Sequence, residues 1–422
     1  MTKHGSAASQ IMRSSSSLLE EYKELPRLLV VTGYPPSTAL GGAIDLRNLL
    51  HEYPRERLTI ITGIHEMQWV LTYGHAAGLL NAPHIVVRDW QLNVRGVYRL
   101  LRWLSSIKIM VQTTISAVRC MSSDTTILAV PYGGVFGSEL FVAAYFAHML
   151  SGAPLVIYEL DEWRASLLGG LNERIPLALE RLFHRRIARA ARTVWVISDQ
   201  MAEELRARFG IKAKVLPGGV EVDKFARGRH GERTHPDEFH LLYTGSVSAP
   251  QAGAIRNVLR TIQSDPDDQT LLVIYSSQPA EEFARQGITG PKLHLKRSVA
   301  PEKMPDILAT ADALLLPFSF DDQQQEVVST SLPSKTAPYL ASGVPVLVHA
   351  PPYATITRMA TSEGWAEVVN EPSIERLADA LQRLANDKSL RKRLVENALR
   401  IARVRYDLTR HRAQFIASIR GG

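Results

Sequence analysis

Between Thr330 and Val348 the chain reads TSLPSKTAPYLASGVPVLV, and the hydroxyls of Ser331 and Ser334 stand within a few residues of one cation, Lys335. The apolar spacing predicts a short helix over Ser334–Ser342, closed by Gly343 and followed by a buried strand, Val344–Val348. On that reading Lys335 sits at the positive end of a helix dipole, and Pro338 sits where a backbone donor is wanted. A cation fits there if an anion lies between: free N–H groups, two hydroxyls and an ammonium converge on a phosphate or diphosphate. The other reading, a lysine pointing into water, costs only about 0.3–1 kcal/mol, so the segment alone does not decide.

Two more stretches carry chemistry. LLVVTGYPPSTALGGAIDLRNLL ends a buried strand at Thr32 and begins a helix at Gly41 and Gly42, where backbone N–H groups can approach an oxygen-rich ligand. It lacks the G-x-G-x-x-G spacing of a dinucleotide site, and a Gly pair before a helix can equally be a plain loop. VIYELDEWRASLLGG places Glu159, Asp161, Glu162 and Arg164 at a strand end, where α/β sites form. These acids could hold hydroxyls or serve as a base, with Trp163 over a sugar face, or they could form a solvated turn.

The elements that must position these residues alternate almost throughout. Short β-rich runs at Leu28–Thr32, Leu58–Thr62, His84–Val87, Thr126–Val130, Leu155–Glu159 and Thr193–Ile197 are separated by helical patterns such as Gly42–His51, Val94–Arg119, Ser138–Leu150 and Ile175–Ala191. Alternation of this kind predicts a parallel sheet with helices on both faces. It pauses over Leu216–Phe239, then resumes with strands at His240–Thr244, Thr270–Tyr275, Ala313–Pro317, Val344–Val348 and Ala366–Val369 and an almost wholly helical end, Ser373–Ile419. The expected plan is a flexible tail over 1–26, a first Rossmann-like domain over 27–216, a linker over 217–239 and a second Rossmann-like domain over 240–405. A last helix, 406–422, can pack back on the first domain. Two doubly wound domains place a ligand cleft between the C-terminal ends of their sheets.

VWVISDQMAEELRARFGIKAKVLPGGVEVDKF makes the pattern more specific, with Ser198 capping a helix that Gly210 closes. It resembles the passage joining the two domains of GT-B glycosyltransferases of the large retaining family, with Gly219, Val220 and Phe225 matching and Glu221 in place of Asp. LLYTGSVSAPQAG resembles that family's opening of the donor domain at Gly245, and VAPEKMPDILATADALLLP resembles the segment before its donor loop, including Asp312 and Pro317. The stretch from Thr330 resembles TSxPSKxxEYxAxGxPV, and the likeness runs in order from about residue 28 to 405.

The resemblance implies a metal-independent, cofactor-free enzyme that moves a sugar from a nucleotide diphosphate sugar to an acceptor hydroxyl with retention. It implies donor binding by Gly41, Gly42, Gly245, Ser246, Thr330, Ser331, Ser334 and Lys335, with Lys335 and Asp161 in catalytic roles and Asp161, Glu162 and Trp163 toward the acceptor. The chain departs from the family at two places. Thr330 and Pro338 stand where two acids are common, and Ser246, Val247 and Ser248 stand where an Arg and a Lys are usual. Asp321, Asp322 or Glu326 could supply a replacement carboxylate.

Composition sets the outer limits. A chain of 422 residues, 45% hydrophobic and 22% charged, exceeds one ordinary core. One cysteine, Cys120, excludes an intrachain disulfide and a Cys-rich zinc site, and a cytoplasmic setting is the expectation. The 13 histidines are scattered without the H-x-x-x-H spacing of a helical metal site. Residues 1–215 carry 24 basic against 18 acidic side chains, nearly all of the +7 excess, too dilute for a nucleic-acid partner. Arg95, Arg99, Arg102 and Lys108 flank Trp103 in a basic amphipathic pattern that suits either an anionic membrane surface or an ordinary domain helix. The expected fold is therefore α/β, GT-B, two Rossmann-like doubly wound domains facing a central cleft. The expected activity is glycosyl transfer to a saccharide or lipid-linked acceptor, in cell-surface polysaccharide or glycolipid synthesis at the inner face of the membrane. A non-catalytic GT-B subunit that binds a nucleotide sugar or a partner, and a sugar-nucleotide epimerase, are the competing readings.

Overall fold

The computed structural model describes residues 25–38, 41–72, 78–89, 98–131, 137–160, 174–227, 232, 234–235 and 237–420, and for 98–103, 174–181, 326 and 330 the backbone alone. The chain forms two compact units that divide between Leu216 and Pro217, and it rejoins the first unit at Arg410.

In the first unit, strands β1 (Arg27–Thr32), β2 (Leu58–Gly63), β3 (His84–Val87), β4 (Thr125–Val130), β5 (Leu155–Glu159), β6 (Thr193–Val196) and β7 (Lys214–Val215) form one parallel sheet in the order β3-β2-β1-β4-β5-β6-β7. Its helices are α1 (Gly41–Leu50), α2 (Ile64–Thr72), α3 (Tyr98–Arg119), α4 (Gly137–Ser151), α5 (Arg174–Ala190) and α6 (Asp199–Phe209). The strands are apolar on both faces because both are covered. Leu29, Val31, Ile127 and Ala129 enter the layer packed by α3, α4 and α5, while Leu28, Val30, Leu128 and Val130 enter the layer packed by α1. Ser198 caps α6 by accepting from the Met201 N–H at 3.2 Å, and Gly210 ends it at φ 68°.

In the second unit, after the short α7 (Val222–Phe225), come strands β8 (Phe239–Thr244), β9 (Thr270–Ser276), β10 (Leu293–Arg297), β11 (Ala313–Pro317), β12 (Val346–His349) and β13 (Ala366–Val369). They pair in parallel in the order β10-β9-β8-β11-β12-β13. The helices are α8 (Ala249–Ser264), α9 (Ala280–Arg285), α10 (Met304–Ala309), α11 (Gln325–Thr330), α12 (Thr336–Ala341), α13 (Thr355–Glu363), α14 (Ile374–Asn386) and α15 (Lys388–Arg405), and a last helix, α16 (Leu408–Arg420), begins in this unit and leaves it at Arg410. Both sheets thus run outward from a central strand and reverse, between β1 and β4 and between β8 and β11. Such reversals open a crevice at the strands' C-terminal ends.

Two strands differ from expectation. β10 has the pattern LHLKR with mostly exposed or half-exposed residues, as an edge strand guarded by Lys and Arg does, so its apolar signal is weak. β7 has only two residues. The link between the units is pinned rather than loose at its end: the buried carboxylate of Asp312 accepts from the backbone N–H groups of His235 (3.2 Å) and His240 (2.9 Å). Val220 N–H donates to the Tyr406 carbonyl at 2.8 Å and Leu408 N–H to the Val220 carbonyl at 3.1 Å. From Arg410 onward α16 belongs to the first unit, where Phe415 and Ile419 fill the core beside Leu28 and Val30. Each such buried side chain contributes about 1.5–3 kcal/mol. Among the described residues no helix is long and apolar enough to cross a membrane.

Candidate functional site

The rim of the second sheet gathers residues that are far apart in sequence. β8 ends at Thr244, and Gly245 turns the chain at φ 108°, a conformation side-chain-bearing residues rarely adopt. Its N–H is held by the Tyr275 carbonyl at 2.8 Å, leaving Gly245 and Ser246 exposed. Against this glycine lies Lys335: a Cβ added to Gly245 would stand 3.6 Å from its Cε and 3.7 Å from its Nζ. The ammonium donates to the Tyr243 hydroxyl at 3.3 Å and lies 4.8 Å from the centre of the Tyr243 ring.

Two tyrosines make the frame rigid. The Tyr243 hydroxyl donates to the Ser246 carbonyl at 2.7 Å, and the Thr244 N–H donates to the Tyr339 hydroxyl at 2.9 Å. Both rings are buried, and burial pushes Tyr339 up to about 12 and raises Tyr243. Burial also lowers Lys335 from the ordinary lysine value, opposed by Tyr339. Among the described residues no carboxylate pairs with Lys335. Its charge is partly desolvated, stacked on an aromatic face and uncompensated, which suits an anionic ligand.

The helix expected over Ser334–Ser342 is shorter. α12 spans Thr336–Ala341, with Lys335 at its N-cap and Gly343 at φ 77° after its end. The cause is the turn at Pro333, whose carbonyl takes the Thr336 N–H at 2.9 Å. Pro338 is then the third helical residue, inside the first turn, where an N–H has no intrahelical acceptor. Its missing donor costs the helix nothing, contrary to the expectation. The strand beyond likewise begins at Val346, not Val344.

The other sequence-predicted residues fall as follows. Ser331 is half-buried after α11, its N–H bonded to the Val327 carbonyl at 3.0 Å, and Ser334 is exposed in the turn before Lys335. Thr330 ends α11, and its side chain lies outside the described residues, as does that of Glu326. Asp321 and Asp322 are exposed, and Asp321 accepts from the Gln323 N–H at 3.0 Å as a local cap. Gly41 and Gly42 begin α1 in the first unit. Asp161, Glu162, Trp163 and Arg164 lie outside the described residues. Glu159 is not a rim acid: it is buried, its Oε1 2.8 Å from His184 Nε2. Burial lowers His184 to about 4, so the imidazole is neutral and donates to the carboxylate.

Several strand-end residues escaped the sequence reading. His65 opens α2 with its Nε2 3.1 Å from Asp89 Oδ2 beyond β3. Next to it Glu66 is buried, and a Cβ on Gly63 would overlap its carboxylate. Tyr34 and Trp69 meet edge to face at 6.2 Å. In the second unit His349, fully buried at the end of β12, donates from Nδ1 to the Val369 carbonyl at 3.2 Å, and burial lowers it to about 4. The available signal was position: a His or an acid within three residues of an apolar strand's C-terminus.

No family model and no curated protein matches the chain. Solved structures do. HepE of Anabaena, determined with UDP and glucose, superposes with a TM-score of 0.63 at 13% identity over 94% of this chain and 99% of that one. Sucrose-phosphate synthase of Thermosynechococcus elongatus gives 0.63 at 15% identity, covering 93% and 97%. A protein of Listeria monocytogenes assigned as a UDP-N-acetylglucosamine 2-epimerase gives 0.53 at 16% identity, covering 93% and 95%. At these identities the likeness establishes the fold: two parallel Rossmann-like sheets in the GT-B arrangement of such structures.

Proposed function

We propose that this chain is a glycosyltransferase that takes a sugar from a nucleotide diphosphate sugar and passes it to an acceptor hydroxyl with retention. The observation that carries the reading is Lys335: a partly desolvated ammonium with no carboxylate partner among the described residues, stacked on Tyr243 and set against the exposed backbone of Gly245 at a strand's C-terminal end. A diphosphate supplies the missing counter-charge. HepE, determined in complex with UDP-glucose, supports a nucleotide-sugar donor.

In this proposal Lys335, the Ser246 N–H, the exposed Gly245 turn that lets a ligand approach the backbone closely, and the hydroxyls of Thr330, Ser331 and Ser334 hold the diphosphate. The bond between the anomeric carbon and the leaving phosphate oxygen breaks, and the acceptor oxygen bonds to the same face of that carbon. The acceptor proton passes to a phosphate oxygen of the leaving group. Lys335 stabilises the charge that grows there, a contact worth about 1.5–3 kcal/mol. Gly41 and Gly42 take part in donor binding, and Asp161, Glu162 and Trp163 meet the acceptor, with Asp161 nearest the transfer. The reaction runs on the cytoplasmic side, feeding a cell-surface polysaccharide or glycolipid.

Pro338 and the run Ser246-Val247-Ser248 favour a second reading, a nucleotide-sugar-binding subunit without transfer. The fold also serves the Listeria protein, so epimerisation is the third. A screen of nucleotide sugars by thermal shift, followed by assay of donor hydrolysis, transfer and epimerisation, separates them. A ligand at a hundred times its dissociation constant stabilises by about 2.7 kcal/mol. Stabilisation without turnover favours the subunit, and no stabilisation by any nucleotide sugar removes all three.

A further inference from the structure

The layer of α3, α4 and α5 on one face of the first sheet has an outer surface that its inner packing does not explain. On α3 the exposed apolar residues are Ile107, Val111, Ile115 and Val118. At 100° per residue they fall within an arc of about 80°, a continuous stripe on the side turned away from the core. α4 lies beside α3 and adds Phe146, Met149 (61% exposed) and Leu150 (72%), and α5, beside α4, adds Leu182. Eight of the eleven large apolar side chains that stand exposed among the described residues are on these three helices. Single exposed leucines are ordinary, but a contiguous patch is not.

The same surface is basic. α3 carries four Lys or Arg and no acid, and α5 carries five Arg and one Glu. Lys108, Arg119, Arg185, Arg186 and Arg189 reach at least partly into solvent, Arg186 lying 5.9 Å over the ring of Phe183. The one acid of α4, Glu139, is buried and accepts from Ser106 at 2.7 Å.

We infer that the outer face of α3, α4 and α5 is a docking surface for an anionic lipid bilayer. Apolar side chains seat below the headgroups while the arginines meet their phosphates, which is how interfacial helices bind. A second copy of the chain would set basic face against basic face, a repulsive match. Nucleic acid offers the charge but nothing for the apolar stripe. The surface is separate from Lys335, so the inference stands or falls independently of the proposed chemistry.

The test is co-sedimentation of the full chain with phosphatidylcholine vesicles, with and without phosphatidylglycerol, at about 0.1 M and about 1 M salt, where the screening length falls from about 10 Å to about 3 Å. Binding to the anionic vesicles is expected at low salt only. Changing Arg185, Arg186 and Arg189 together to Gln should weaken it roughly a hundredfold. Changing Val111, Ile115, Met149 and Leu150 together to Asp should abolish it while the far-ultraviolet circular-dichroism spectrum remains that of the folded parent, all four side chains being exposed. Equal binding to neutral vesicles, no binding to anionic ones, or binding unaffected by either set overturns the inference. So does a concentration-dependent dimer that the Asp set dissociates, which would assign the face to a second copy.

Discussion

Lys335 and His184 are both ionisable groups whose proton affinity burial has lowered. They differ in what surrounds them. His184 lies in a closed pocket between Phe141 and Phe209 with its Nε2 on Glu159, so its polar demand is met within the fold. Lys335 has a tyrosine hydroxyl and a ring, but no counter-charge among the described residues, and borders two exposed backbone residues. A perturbed group marks a site when its charge is left for a ligand to balance; when the fold balances it, the group belongs to the scaffold.

The sharpest way to break this comparison is to remove the scaffold pair. His184→Ala leaves a carboxylate buried in an apolar pocket and should destabilise the chain by about 3–5 kcal/mol, read as a lower urea midpoint. His184→Gln, which keeps a donor for Glu159, should recover part of that loss. A variant as stable as the parent would move His184 from scaffold to site.

Acid separates the two groups next. Both His184 and His349 are lowered to about 4 from an unfolded value near 6.5, so the native state keeps them neutral while the unfolded chain takes up protons. Their contribution is present above about 6.5 and is lost as pH falls toward 4, at about 3 kcal/mol each. Asp45 runs the other way: burial raises it to about 7, so its contribution is present below the unfolded carboxylate value and is lost as pH rises through 7. Urea midpoints between pH 4 and 8 should fall on acidification less in His184→Gln than in the parent, and more in Asp45→Asn, because Asp45 offsets part of the histidine loss between about pH 4 and 7. A midpoint flat on acidification in Asp45→Asn, where that offset is gone, would sink the neutral-histidine account.

Lys335→Ala is expected to show the opposite balance. Stability should change little, since a partly desolvated charge is lost along with a weak contact, while binding of a nucleotide diphosphate should weaken by about 1.5–3 kcal/mol, roughly ten- to a hundredfold. Calorimetric titration with UDP and with other nucleoside diphosphates checks it. Unchanged affinity in a folded variant would remove Lys335 from the site.

How much of this could be read from the sequence follows from what each feature depends on. β1, β5 and β11 are continuous apolar runs because both faces of a parallel sheet are covered, and runs of that kind are legible locally. β10 escaped because its outer residues are polar and charged, and β7 because two residues carry no period. Around Lys335 the residue types were legible but the frame was not. Tyr243 and Lys335 meet across 92 positions of chain, and Thr244 and Tyr339 across 95, distances at which periodicity carries no information. Glu159 was assigned to the rim because a strand-end acid usually faces solvent. Its partner lies 25 residues on, in a helix whose basic letters hid a buried histidine.

The smallest effect expected is at Pro338, which tests whether the neighbourhood of Lys335 follows the family resemblance. Restoring an acid with Pro338→Glu adds no helix bond, because position three of α12 has no intrahelical acceptor. The carboxylate gains about 0.3–1 kcal/mol from the first turn of the helix. Losing proline costs a similar amount, about 0.4–1 kcal/mol, by loosening the unfolded chain. Stability should therefore stay within about 1 kcal/mol of the parent. If the resemblance places this position beside a nucleotide ribose, the new acid accepts from its hydroxyls, and nucleoside diphosphates should bind severalfold tighter while nucleobases alone do not. Titration of the parent and the variant with both ligands reads the difference directly. Weaker nucleoside diphosphate binding in a variant that melts like the parent would show that proline itself shapes the pocket, and that the second acid of the family has no counterpart here.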